Sequence, residues 1–290
     1  RLLRMYGPEK NSIAIPHSDV AGHCNRRERV RRRRVLIRAE GGLWEKWTAH
    51  QSDSTETVDH STWDTFLKTY VSEHVDGVNR VAYGDVDDAD KEALDRYIRS
   101  MASVSVESLP RDEQLAYWVN LYNALTVQVV HAHYPVKTIR DIDISPGLFS
   151  DGPWDKKLIE IDDEPISLND IEHRILRPIW NDPRIHYAVN CASIGCPNLL
   201  RSAYTGSTAG RMLEEAARAF INDKRGVNAQ DERATVSSIY AWFTVNFGGD
   251  VAGVIAHLKR YANPELASRL DEAVELDDAY DWALNDATQN

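Results

Sequence analysis

The chain of 290 residues is 42% hydrophobic, with 8 Trp and 12 Tyr, enough to bury a sizeable core, and nowhere does it approach the run of about 18 apolar residues that a membrane span needs. Its net charge of −11 divides unevenly: residues 1–47 carry 12 Lys/Arg against 5 Asp/Glu, whereas residues 48–290 carry 22 against 40. An acidic body repels phosphate backbones, so nucleic acid is excluded as a partner of the main domain.

The basic run Arg26–Arg34 (RRERVRRRR) reads as a solvated, disordered tail, because blocks of like charge repel. A nucleic-acid arm and a localisation signal are the alternative readings. An export signal does not fit, since only Val35, Leu36 and Ile37 follow before Arg38. The expected organisation is a tail over 1–47 and one globular domain over 48–290. On the residues given the expected compartment is the cytoplasm; the chain begins with Arg1 rather than Met, so localisation stays open.

Trp63, Phe66, Leu67, Tyr70 and Val71 recur at i, i+3, i+4, i+7 and i+8, the stripe of an amphipathic helix capped near Asp59 or Ser61. Leu94, Tyr97, Ile98 and Met101 mark a second. Pro110 opens a third, apolar nearly all round from Leu115 to Val130 and therefore central, with Pro135 ending it. Lys157–Ile161 and Pro165–Leu168 flank Asp162-Asp163-Glu164 as a β-hairpin. Ser167 and Asp170 have the form of a capping box, with Asp in place of Glu, on a short helix that stops before Pro178. Arg184–Asn190 alternates like a strand. A helix is expected from about Ala209 to Asn222, a strand over Thr235–Ile239 and a helix over Val251–Tyr261. Helices dominate and strands are few, which predicts an α+β, helix-rich single domain with a small, mainly antiparallel sheet.

Residues 167–199 concentrate the reactive side chains, in a chain with only 3 Cys and 10 His. A thiol nucleophile needs a base and a group to orient that base, and Cys191, His173 and Glu172 are the candidates. Cys191 is expected where the strand ends, and Pro197 is expected to begin a helix, which would put Cys196 nearer a thiolate-favouring dipole. Cys191 is preferred because Asn190 and Ser193 flank it with hydrogen-bonding groups, yet small buried thiols are the commoner use of free cysteine. Strand alternation turns His186 away from Cys191. Glu172 falls within the apolar stripe of its helix, with His173 about 150° from that stripe's centre, so Glu172 needs a cation such as Arg177 or Arg184, or lines a polar cleft. Asn120 and Asn123, at i and i+3, are buried amides that either tie the core together or line a cleft. His186, Cys191 and Cys196 do not have the spacing of a structural zinc site, and no metal or other cofactor is expected.

The segments YWVNLYNALTV, GPWDKK, ISLNDIEHRILRP, DPRIHYAVNCASIGCPNL and YDWALN together resemble the family catalogued as domain of unknown function 547 (DUF547), over roughly residues 60–285. Bacterial members of that family often look exported, and plant members attach the domain to a coiled-coil segment. The resemblance implies motif positions at Asn120, Asn123, Glu172, His173, His186, Cys191 and Cys196, and a distant likeness to papain-like or permuted cysteine peptidases is an analogy of arrangement. One departure is Asn246, where the family pattern leads us to expect an acidic residue. The functional expectation is a thiol-dependent hydrolase or acyl/peptidyl transferase acting on a small-molecule or peptide substrate. In it Cys191 is the nucleophile, His173 the base, Glu172 the orienting group, and backbone N–H groups around Ala192–Ser193 the oxyanion donors. The rival is a non-catalytic module that uses the same residues to bind a protein or small ligand.

Overall fold

The computed structural model describes residues 12–14, 42–147, 152–230, 232–273 and 275–288. The basic run Arg26–Arg34 and Cys24 lie outside the described residues. After a short strand β1 (Ser12–Ala14), the amphipathic stripe of Trp63, Phe66, Leu67 and Tyr70 forms α1 (Ser61–Tyr70), with all four side chains buried. A hairpin of β2 (Val71–Glu73) and β3 (Asn79–Val81) leads to α2 (Asp88–Met101), whose first turn is capped by Asp87 accepting from Asp90 N. Pro110 then precedes α3 (Arg111–His133), in which 17 of 23 residues are buried; only a helix surrounded on most sides can have that pattern.

Asp162 and Asp163 both adopt positive φ, 49° and 62°, as a two-residue hairpin turn requires, and join β4 (Ile159–Ile161) to β5 (Glu164–Ile166). The capping box follows: Ser167 N donates to Asp170 Oδ2 at 2.9 Å and Asp170 N donates to Ser167 Oγ at 3.2 Å. The helix it opens is not the short α-helix predicted. Asp170–Leu176 is a π-helical segment that passes into α4 (Arg177–Trp180), so the helix runs through Pro178. The change of hydrogen-bond register starts a fresh turn at Arg177, where the missing N–H of proline is tolerated.

The strand predicted over Arg184–Asn190 is also absent: Pro183–Tyr187 is a 3-10 helix, begun by Pro183 and capped by Asp182 accepting from Arg184 N. The rest comprises α5 (Gly206–Ile221), β6 (Val227–Gln230), β7 (Arg233–Ser237), α6 (Ser238–Trp242), α7 (Val251–Tyr261), α8 (Pro264–Glu272) and β8 (Glu275–Ala279). The largest sheet has the order β1-β8-β7-β6; β7 and β8 run parallel and the other pairs antiparallel. The fold is a helix-rich α+β single domain, and among the described residues no helix is long and apolar enough to cross a membrane.

One core surrounds α3, built from side chains such as Trp63, Trp118 and Leu125; a second gathers Phe220, Tyr240, Phe247 and Leu258 around α5, α7 and the sheet. The segment 183–189 contributes Ile185 and Ala188 to the first and Tyr187 to the second, so it lies where the two meet. Trp47 packs edge-on against Trp118 and is 3% exposed, and Trp44 N donates to Arg174 O. The packed body therefore begins ahead of the boundary expected at residue 48.

Candidate functional site

Helix α3 supplies the foundation, through two asparagines that each grip a peptide reciprocally. Asn120 Nδ2 donates to Tyr204 O at 2.8 Å, and its Oδ1 accepts from Tyr204 N at 3.0 Å. Asn123 Nδ2 donates to Ala188 O at 2.9 Å, and its Oδ1 accepts from Asn190 N at 2.8 Å. Asn123 thus anchors the backbone immediately ahead of Cys191. Replacing it with alanine leaves a buried N–H and a buried C=O unpaired, and about 2–3 kcal/mol of stability should be lost. Urea denaturation measures this, and a loss below about 1 kcal/mol would mean the clamp is dispensable.

Asn190 then closes a loop around the cysteines. Its Nδ2 donates to Pro197 O at 2.7 Å and its Oδ1 accepts from Ala192 N at 2.8 Å, which holds Ala192 at φ +57°. The chain end seals the outer side: Ile194 N donates to Ala283 O and Gly195 N to Asp281 O, both at 2.8 Å. That approach leaves no room for a side chain at 195, where a Cβ would sit 2.7 Å from Asp281 N. Arg225 holds the loop from the other flank, donating to Ile194 O at 3.1 Å and Cys196 O at 2.9 Å.

Within this loop the Cys191 and Cys196 sulfurs are 3.1 Å apart. Cys191 is half-buried, whereas Cys196 is 3% exposed and also accepts from Cys191 N at 3.1 Å. The Cys191 sulfur further meets Tyr280 OH at 3.0 Å and Ser193 Oγ at 3.3 Å, and those two hydroxyls are bonded to each other at 2.8 Å. The Cys191 sulfur thus has three hydrogen-bonding partners: its own S–H is directed at Cys196 Sγ, and the two linked hydroxyls border it. The Cys196 thiol foremost, with the Ser193 and Tyr280 hydroxyls, pulls the Cys191 thiol below its usual value against burial and the Glu172 charge. Burial first, then the neighbouring Cys191, pushes Cys196 well above the usual range. No helix begins at Pro197, so thiolate stabilisation comes from these hydrogen bonds and not from the dipole predicted. Nor is the Ala192 N–H free for an oxyanion, since Asn190 Oδ1 holds it.

The imidazoles belong to an adjoining network. Arg177 has only N–H groups to offer, so its 2.8 Å bond to His173 makes Nδ1 the acceptor and puts the proton of the neutral ring on Nε2. Arg177 Nε and Nη2 also donate to Asn246 Oδ1, at 2.9 and 2.6 Å, which fixes the amide's orientation. His186 Nε2 must then donate to the same oxygen, at 3.0 Å. Phe243 covers this cluster, stacked on His186 at 4.5 Å with the Arg177 guanidinium 4.5 Å from its ring centre.

Glu172 is buried between the rings. Its Oε2 accepts from Tyr122 OH at 3.2 Å, while Oε1 stays 3.7 Å from His173 Nδ1 and 3.9 Å from His186 Nδ1. Its action on either ring is thus Coulombic, and the group that fixes His173 by hydrogen bond is Arg177. Burial opposes the Glu172 charge, but His173, His186 and Arg177 outweigh it and hold the carboxyl below its ordinary value. Burial lowers His186 to about 4, so it is neutral near pH 7. Of the two arginines considered for Glu172, Arg184 instead pairs with Asp182 at 2.6 Å and Glu214 at 3.5 Å. Among the described residues no hydrogen bond joins Cys191 to an imidazole, and no group of three or more His, Cys, Asp and Glu is placed to hold a metal ion.

Residues 106–221 match the family model described as Protein of unknown function, DUF547. This stretch is similar to that family. No curated protein and no solved structure matches the chain, so the papain-like likeness gains no support. The DUF547 match contains the asparagine clamps, Glu172, both imidazoles and the cysteine loop, whereas Asn246 and Tyr280 lie beyond it. Tyr280 was missed as a site residue, although YDWALN had contributed to the resemblance; its hydroxyl reaches Cys191 across 89 positions of sequence. Asn246 was noticed as a departure, and its position explains what an acid there would meet: one guanidinium and one ring N–H. The amide keeps the acceptor and drops the charge.

Proposed function

We propose that this domain is a thiol-dependent hydrolase or acyl transferase with Cys191 as nucleophile. The observation that carries this is the half-buried Cys191, whose sulfur lies within hydrogen-bond distance of Cys196 Sγ, Ser193 Oγ and Tyr280 OH, groups that can stabilise the thiolate once the thiol proton has left. The Cys191 thiolate attacks an ester or thioester carbonyl, forms a sulfur–acyl bond and expels an alkoxide or thiolate, which takes a proton from solvent; water or an acceptor nucleophile then releases the acyl group. The Ser193 and Tyr280 hydroxyls, relieved of the sulfur's charge, are donors to the acyl oxygen. His173 is the more accessible ring, with a side chain 26% exposed against 4% exposure for His186, which is also bonded to Asn246; it becomes a base only if Nδ1 gives up its bond to Arg177.

Incubation with an activated aryl ester near pH 7, followed by peptide mass mapping, is expected to find an acyl thioester on Cys191 that Cys191→Ser lacks. Iodoacetamide should alkylate Cys191 faster than it does in the denatured chain. Equal or slower alkylation, together with no acyl adduct, ends the nucleophile reading. A second reading has its own support: with no imidazole bonded to Cys191 among the described residues, the network also suits a non-catalytic ligand- or protein-binding module. That module would bind its ligand equally well after Cys191→Ser.

A further inference from the structure

We propose that Cys191 and Cys196 are a redox-active dithiol, closing to an intramolecular disulfide on reaction with a hydroperoxide and reopening with an external dithiol. This does not depend on the acyl-transfer reading. Its basis is the loop itself. Cysteines five apart meet because Asn190 Nδ2 ties the two ends of the loop together at Pro197 O, and because Ala192 takes the left-handed conformation that folds the chain back. The sulfurs already lie 3.1 Å apart, about 1 Å from the bonded separation. Cys191 is half-buried and Cys196 is 3% exposed, so of these two sulfurs Cys191 is the one a small oxidant meets first. One attacking sulfur and one shielded resolving sulfur are the two parts that such chemistry requires. The thiolate bias of Cys191 over Cys196 has the right direction for these roles.

In the first step the Cys191 thiolate attacks the terminal oxygen of the hydroperoxide. A sulfur–oxygen bond forms, the oxygen–oxygen bond breaks, and the departing alkoxide takes a proton to leave as an alcohol. Cys196 sulfur then attacks the Cys191 sulfenic sulfur, and the hydroxyl departs with the Cys196 proton as water. Two thiols are oxidised by two electrons and one hydroperoxide is reduced. Because the captured sulfur is the one presented as nucleophile, the oxidised domain should be inert to iodoacetamide at Cys191.

The test uses the full chain with Cys24→Ser, so that two thiols remain, treated with one equivalent of hydrogen peroxide and then denatured in maleimide. Before oxidation two maleimides add. Afterwards none should add, the intact mass should fall by two hydrogens, the linked peptides should contain Cys191 and Cys196, and dithiothreitol should restore both thiols. Cys196→Ser should instead stop at a Cys191 sulfenic acid trapped by dimedone, while before oxidation it keeps the alkylation of Cys191. Two surviving thiols, a stable sulfenic acid in the parent chain, or a link between chains would overturn the proposal. Failure of the acyl reading looks different, since it concerns the aryl-ester adduct on the reduced protein.

Discussion

Replacing Arg177 by methionine should destabilise the domain by about 3–5 kcal/mol near neutral pH, because it strands a buried carboxylate. Arg177 is itself buried, and its guanidinium binds His173 Nδ1 and Asn246 Oδ1, rests on Phe243 and supplies positive charge around Glu172. Methionine fills much of the volume and provides none of these. Left with the Tyr122 hydroxyl and two imidazoles, Glu172 must take a proton or force one onto a ring, and either event costs free energy at neutral pH. The decisive measurement is a four-variant cycle in urea with Arg177→Met, Glu172→Gln and their combination. If Arg177 is the countercharge, Glu172→Gln should recover about 2 kcal/mol or more of the loss in the double variant. Additive losses would mean that Arg177 stabilises through contacts other than Glu172, among them those to His173, Asn246 and Phe243.

The elements that could be read from the sequence are those whose local pattern and tertiary environment agree. The α1 stripe, the all-round burial of α3 and the hairpin turn at Asp162-Asp163 all follow from side-chain periodicity or turn chemistry, and α7 has the predicted bounds, Val251–Tyr261. The segment 184–190 failed because both cores compete for it. Ile185, His186 and Tyr187 are all buried, so the alternation had no solvent face to report, and the Asp182-Pro183 start decided the local geometry. The π-helical register from Asp170 to Leu176 has no periodic signature in so short a segment, yet it sets the directions of Glu172 and His173. The reactive residues were legible as types crowded into 33 positions. Their partners were not: Asn246 is 60 positions from His186, Tyr280 is 89 from Cys191, and only the folded chain joins them.

Acid should weaken this fold well before its carboxylates titrate. His60 and His186 are both 4% exposed, and burial lowers each to about 4 from an ordinary 6.5. His60 is bonded through Nδ1 to Tyr97 OH at 2.7 Å, and the nearby charges of Glu113 and Asp59 recover only part of the lost basicity. Around His186, Glu172 favours the proton while Arg177 and His173 oppose it. Because these folded-state values lie below the unfolded one, the unfolded chain binds the protons first. The stability the two rings confer is complete above pH 6.5 and is lost as pH falls towards 4. Each group is worth about 3 kcal/mol over that window, and together they give a slope of up to about 2.7 kcal/mol per pH unit. Asp170 and Glu172, whose values are lowered, add their losses only below the ordinary carboxylate range, so the two contributions separate by pH. Urea midpoints between about pH 7.5 and about pH 4.5 should therefore fall steeply in the parent chain and much less in His60→Gln/His186→Gln. An unchanged slope in that double variant would show that neither ring is held neutral by burial.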